Sequence, residues 1–128
     1  ALDFELRIAA PKEFQPNSEI LAKAKGNISC TEDIKSAVDG TDMVYTDVWV
    51  SMGMESEEAE RLNKLGSYQI NSELMRLAKP DALVMHCLPA YRGKEIDEDT
   101  FEANAETIFT QAENRLHTQK AILTWLTS

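Results

Sequence analysis

The stretch Ala82-Leu83-Val84-Met85-His86-Cys87, closed by Leu88-Pro89, decides the fold class. It is almost wholly apolar, as a strand buried on both faces of a sheet would be. Such strands belong to parallel sheets, because parallel neighbours need crossover connections and the crossovers cover both faces. The flanks agree. Upstream, Asn71 can cap a helix of Leu74, Leu77 and Ala78 that stops at Pro80. Downstream, Asp97 to Ala103 reads as a short helix and Thr107-Ile108-Phe109-Thr110 as a last strand. Ala112 to Leu126 follows as a final helix, with Leu116, Leu123 and Leu126 on its apolar stripe and Ile122 beside it.

Toward the N-terminus the same alternation continues. Phe4 to Ala10 is β-prone and ends at Pro11, and Asn17-Ser18 can cap a helix to Lys25 with Gly26 as its stop. Asn27-Ile28-Ser29-Cys30 is a brief strand. Thr31 can cap a helix whose Ile34, Ala37 and Val38 share a face and which Gly40 ends. Met43 to Val50 is the most β-prone segment and runs into a turn-like Ser51-Met52-Gly53-Met54. Glu55 to Leu65 reads as a helix and Tyr68-Gln69-Ile70 as a short strand. The expected architecture is α/β: three layers, with a mostly parallel sheet flanked by helices. Ligands of such sheets bind beyond the carboxyl ends of the strands. The polar residues there are Asp47 with Ser51-Met52-Gly53, His86-Cys87-Leu88-Pro89, and Gln111 through Arg115.

The chain has 128 residues, 13 Lys+Arg against 22 Asp+Glu, and a formal net charge of −9. One domain is the expectation at this length. The acidic balance argues against nucleic acid and anionic membrane as partners. No apolar run approaches the ~20 residues of a membrane span, and the first residues carry no signal-peptide pattern. Ala1 instead suggests a chain that begins inside a longer protein. Two cysteines, Cys30 and Cys87, are too few for a disulfide framework and fit free thiols in a reducing compartment such as the cytoplasm.

Adjacent His86 and Cys87 on a strand point to opposite faces, so a His-activated cysteine nucleophile is disfavoured. Cys30, Cys87, His86 and His117 lack zinc spacing. Asp47, in an apolar segment, needs either a partner in the following turn or a cationic ligand. Arg115, placed by this reading on the first turn of the last helix, either pairs with an acid such as Glu113 or holds an electron-rich oxygen. Four Glu between positions 55 and 60 read as a solvated helix face. No Gly-x-Gly-x-x-Gly or P-loop occurs.

Three segments together resemble one family. Asp47-Val48-Trp49-Val50-Ser51-Met52-Gly53 is similar to the Asp-x-x-x-Ser-Met-Gly motif of ornithine carbamoyltransferases, His86-Cys87-Leu88-Pro89 to their His-Cys-Leu-Pro motif, and Glu113-Asn114-Arg115 to their Glu-Asn-Arg segment. Aspartate carbamoyltransferases carry Pro where Cys87 stands. The resemblance covers essentially the whole chain, in order and spacing, and implies residues 1–128 as the ornithine-binding second domain, Rossmann-like and truncated at its N-terminus. The family's carbamoyl-phosphate motif, Ser-x-Arg-Thr-Arg, is not found here. The resemblance implies that the side-chain amine of L-ornithine attacks carbamoyl phosphate to give citrulline and phosphate, with no metal and no organic cofactor, in a cytoplasmic homotrimer when full length.

The same resemblance implies the roles. Asp47 would accept from the ornithine α-ammonium; Ser51 and Met52 would anchor the amino-acid head; Cys87 would orient the substrate without a covalent intermediate. The Leu88 carbonyl would accept from the attacking amine, and His86 and Arg115 would reach the carbamoyl oxygen. Tyr91 stands where many relatives have His or Arg, and no role is carried to it. The alternative is a stand-alone amino-acid-binding or interaction module without catalysis.

Overall fold

A computed structural model of the chain describes residues 3–50, 53 and 55–128. The order is β1 (Glu5–Ala9), α1 (Ser18–Lys23), β2 (Asn27–Thr31), α2 (Ile34–Val38), β3 (Met43–Thr46), α3 (Glu58–Leu65), α4 (Ser72–Met75), β4 (Leu83–His86), α5 (Glu98–Ala103) and α6 (Ala105–Thr127). Short 3-10 turns lie at Lys12–Phe14, Glu55–Glu57 and Gly66–Tyr68. All strand pairing among the named strands is parallel, and a helix stands between each strand and its partner, as expected of an α/β domain. The described strands fall into two two-stranded sheets, β1-β2 and β3-β4, where one sheet was expected.

The β3-β4 sheet carries the core. Its register runs from Met43↔Leu83 to Thr46↔His86. Alternation then puts Val44, Val84 and His86 inward, with Ile70, Leu74, Ile96, Phe101 and Ile108 packed around the valines. The opposite face leaves Met43, Tyr45 and Leu83 about half exposed. The expectation that 82–87 is buried on both faces therefore holds for one face only. Burying each of the fully enclosed isoleucines, Ile96 and Ile108, is worth about 1.5–3 kcal/mol.

Three local readings are corrected. Thr107-Ile108-Phe109-Thr110 is not a strand; it lies inside the 23-residue helix α6. Its β-branched residues sit between good helix formers, Ala105-Glu106 and Gln111-Ala112-Glu113, and helical spacing buries Ile108 while Phe109 stays exposed. Tyr68-Gln69-Ile70 is a 3-10 turn followed by a single bridge from Ile70 to Ile96, too short for a strand. The cap of α2 is Asp33, whose carboxylate accepts from Lys35 N and Ser36 N, while Thr31 Oγ1 accepts from Asp33 N one step earlier. The caps Asn17, Asn71 and Asp97 each accept a backbone N–H in the first turn of their helices.

Candidate active site

The site grows from the carboxyl ends of β3 and β4. Their last ladder pair is Thr46↔His86, so the next residues, Asp47 and Cys87, leave the sheet side by side. The Cys87 thiol donates to Asp47 Oδ1 at 2.9 Å, and the same oxygen accepts from Val48 N at 2.7 Å. Asp47 remains exposed. Burial, and then the Asp47 carboxylate, push the Cys87 thiol above its ordinary range, so at neutral pH it is a hydrogen-bond donor and not a thiolate. Tyr45, two residues before Asp47 on the same strand face, has its hydroxyl raised by burial first and by Cys87 next. It belongs to this cluster and the sequence reading missed it.

His86 points the other way, into the core. Its ring is fully buried, with Nε2 3.1 Å from Glu95 Oε1 and Nδ1 accepting from Leu88 N at 2.9 Å. With both ring nitrogens engaged inside the protein, the ring offers no free donor to a substrate oxygen. The direct contact of His86 with the carbamoyl group is an expectation from the family resemblance; here both ring nitrogens are engaged within the protein. Glu95, also fully buried, was not anticipated, because in Gly93-Lys94-Glu95 it reads as an ordinary surface acid. Leu88 adopts φ 54°, the left-handed region, ahead of a cis Leu88-Pro89 bond.

Helix α6 runs past the end of β4 and meets it three times at helical spacing. Ile108 enters the core, Gln111 Oε1 accepts from His86 N at 3.0 Å, and Arg115 Nη1 donates to the Cys87 carbonyl at 3.2 Å. Arg115 thus lies in the third turn of its helix and not the first, since the helix begins at Ala105. Glu113 faces His117 at 3.4 Å, and Arg115, though exposed, is anchored to the site's own backbone. The glutamates after position 55 are paired where expected to be merely solvated: Glu57 with Arg61, Glu60 with Lys64, and Glu58 with Lys94 at 2.7 Å, tying α3 to the 91–96 turn.

Of the predicted residues, Asp47, Cys87, Leu88 and Arg115 come together, and His86 stands behind them. Ser51 and Met52 lie outside the described residues. Among the described residues no three His, Cys, Asp or Glu side chains are grouped to hold a metal ion, and no helix is long and apolar enough to cross a membrane. The grouped atoms suit a small cationic and polar ligand: a carboxylate and a thiol for one end, a peptide carbonyl for an amine, and a guanidinium for an electron-rich oxygen.

Residues 1–126 match the model of the aspartate/ornithine carbamoyltransferase family's Asp/Orn binding domain. An ornithine carbamoyltransferase of Sulfurovum sp. (strain NBC37-1) is 50% identical over 132 aligned positions, covering 98% of this chain and 43% of that protein. One from Methanosarcina mazei is 50% identical over 125, covering 95% and 41%. The crystal structure of the anabolic ornithine carbamoyltransferase from Campylobacter jejuni superposes with a TM-score of 0.89 at 39% identity, covering 97% of this chain and 43% of that one. The chain thus spans about two fifths of the length of the curated relatives it matches.

Proposed function

This chain belongs to the aspartate/ornithine carbamoyltransferase family, and on that premise we propose that it is the L-ornithine-binding part of an ornithine carbamoyltransferase. The observation that carries the reading is the Asp47–Cys87 pair at the paired strand ends, with the Leu88 backbone and Arg115 beside it. In the proposed reaction Asp47 accepts from the α-ammonium of ornithine, and Ser51 and Met52 hold its head. The Cys87 thiol, kept protonated, donates to Asp47, sits against the substrate to help orient it with that carboxylate, and never bonds to carbon. The Leu88 carbonyl accepts a hydrogen from the δ-amine and aims its lone pair.

That amine attacks the carbonyl carbon of carbamoyl phosphate. The new C–N bond forms, the C–O bond to phosphate breaks, phosphate departs, and the amine loses one proton. A lysine-like amine has a pKa near ~10.4, so the site must select the small neutral fraction or take up its proton. Arg115 meets the carbonyl oxygen as it becomes negative; a donor so placed is worth about 2.7–4 kcal/mol. Most of the remaining acceleration comes from holding two substrates together, which needs the family's carbamoyl-phosphate-binding domain as well as residues 1–128. The complete enzyme is proposed to be a cytoplasmic homotrimer without nucleic-acid or membrane partners, in keeping with the free thiols Cys30 and Cys87 and the net charge of −9.

The test is citrulline formation by the complete enzyme from carbamoyl phosphate, with L-ornithine or L-aspartate as acceptor. Citrulline from ornithine and no product from aspartate is expected. Preference for aspartate would overturn the ornithine assignment, and ornithine binding without citrulline would return the protein to a non-catalytic amino-acid-binding module.

A further inference from the structure

Glu95 reaches the site only through other residues, yet a carboxylate is among the costliest groups to bury and this one is completely enclosed. Its oxygen Oε1 faces His86 Nε2 at 3.1 Å and accepts from Tyr91 N at 2.6 Å, while Oε2 has no hydrogen-bond partner among the described residues. Because His86 Nδ1 accepts the Leu88 N–H, the ring proton sits on Nε2 and is donated to Glu95. The imidazole therefore bridges Glu95 to the backbone of Leu88. Leu88 is held at φ 54°, a region that an L side chain occupies only when its surroundings impose it.

Glu95 is itself fixed. Ile70 N donates to its carbonyl at 2.9 Å, Asp97 N donates back to the Ile70 carbonyl at 3.0 Å, and Gly93, at φ 85°, lets the chain reverse so that its N–H reaches the Ile96 carbonyl at 2.8 Å. Next to it Ile96 is wholly enclosed in the core. The carboxylate is thus a rigid post. From it, contacts run to Tyr91 at one end of the 86–91 segment and, through His86, to Leu88 near the other. An apolar side chain here would leave the buried His86 Nε2–H, and the part-buried Tyr91 N–H, without this acceptor.

We infer that Glu95 is a positioning residue: through His86 and Tyr91 it sets the 86–91 turn that presents the Cys87 thiol and the Leu88 carbonyl to the substrate. This rests on the proposed function for the identity of the substrate, but not for the geometry of the turn. Glutamine at 95 keeps the size and one acceptor oxygen but loses the charge that strengthens both bonds; leucine loses both acceptors.

The experiment uses Glu95→Gln and Glu95→Leu in the complete enzyme. Two readouts are taken beside the melting temperature: the KM for each substrate, and the rates of iodoacetamide alkylation at Cys87 and at Cys30 by peptide mapping. Cys30 lies on β2, in the other sheet, and reports general loosening. Glu95→Gln is expected to raise the ornithine KM about tenfold with little change for carbamoyl phosphate, and to raise the Cys87 rate relative to Cys30 at least about threefold. Glu95→Leu should do more of both. If Glu95→Leu does not fold, Glu95→Gln decides. A folded Glu95→Gln with both ratios unchanged overturns the inference, and so does a variant in which both cysteines and both KM values move together with the melting temperature. If the unaltered enzyme makes no citrulline, the proposed function falls, and the Cys87 to Cys30 ratio still decides whether Glu95 sets the turn.

Discussion

Replacing Asp47 by asparagine removes one charge and little else. The amide keeps an Oδ1 acceptor for the Val48 N–H, 2.7 Å away, and for the Cys87 thiol at 2.9 Å, so the turn leaving β3 should survive. What disappears is the charge-assisted bond proposed for the ornithine α-ammonium, worth about 1.5–3 kcal/mol. Asp47 is exposed and screened by water, which places the expected loss near the lower end, about tenfold in ornithine KM. The KM for carbamoyl phosphate should hardly move. The substitution has a second signature. Burial is the larger cause of the raised Cys87 thiol and the Asp47 carboxylate the next, so in Asp47→Asn the thiol should titrate lower than in the unaltered protein. The sign for stability follows. A raised thiol means the folded state holds that proton more tightly, so its stabilisation is full below the ordinary thiol range and is lost as pH rises through the raised value; Asp47→Asn should shrink this alkaline loss. The assays are citrulline formation with each substrate varied in turn and the pH profile of Cys87 alkylation. Equal effects on the two KM values, or an unmoved Cys87 profile, would refute the assignment.

Cys87→Ser should weaken the complete enzyme without abolishing it, since a hydroxyl can still donate to Asp47; trapping a carbamoyl thioester on Cys87 during turnover would contradict this. Arg115→Lys should lower kcat at least about tenfold with an unchanged melting temperature, because lysine keeps the charge but loses the planar fork, which in the proposed role would let one nitrogen hold the Cys87 carbonyl while the other meets substrate; near-normal kcat would return Arg115 to a surface role. Residues 1–128 alone should make no citrulline above the uncatalysed rate, and turnover in a preparation free of host enzyme would sink that claim. Ile108→Ala should cost about 2–5 kcal/mol in denaturant unfolding, since this side chain of α6 is wholly enclosed in the core; a nearly unchanged unfolding midpoint would contradict that.

The part of the site legible in the sequence is the part that depends on period. Alternation along a strand separates His86 from Cys87, and parallel strands that end together bring Asp47 to Cys87. The reading failed where tertiary context outweighed local preference. Thr107-Ile108-Phe109-Thr110 has strand-like composition, but as helix it sends Ile108, Gln111 and Arg115 along β4 in succession, and this also moved Arg115 from a first turn to a third. Alternation separates His86 from Cys87 without saying which of them faces the core; the structure has the His86 ring buried, and its contact with substrate is what the family resemblance implies. Glu95 carried no signal, because nothing local distinguishes a buried glutamate from an exposed one; its burial goes with contacts between distant segments, the Ile70–Ile96 bridge beside it and His86 on its carboxylate.

The central claim is that Asp47, Cys87 and Leu88 form the ornithine seat. Its most direct test is a footprint on the complete enzyme, with inorganic phosphate in place of carbamoyl phosphate so that no turnover occurs. Alkylation by iodoacetamide is followed at Cys87 and Cys30, with and without L-ornithine at about ten times its Kd measured by calorimetry. The account predicts that ornithine slows Cys87 about tenfold, as the free fraction falls, and leaves Cys30 unchanged. Ornithine that binds by calorimetry but leaves the Cys87 rate unaltered would contradict it.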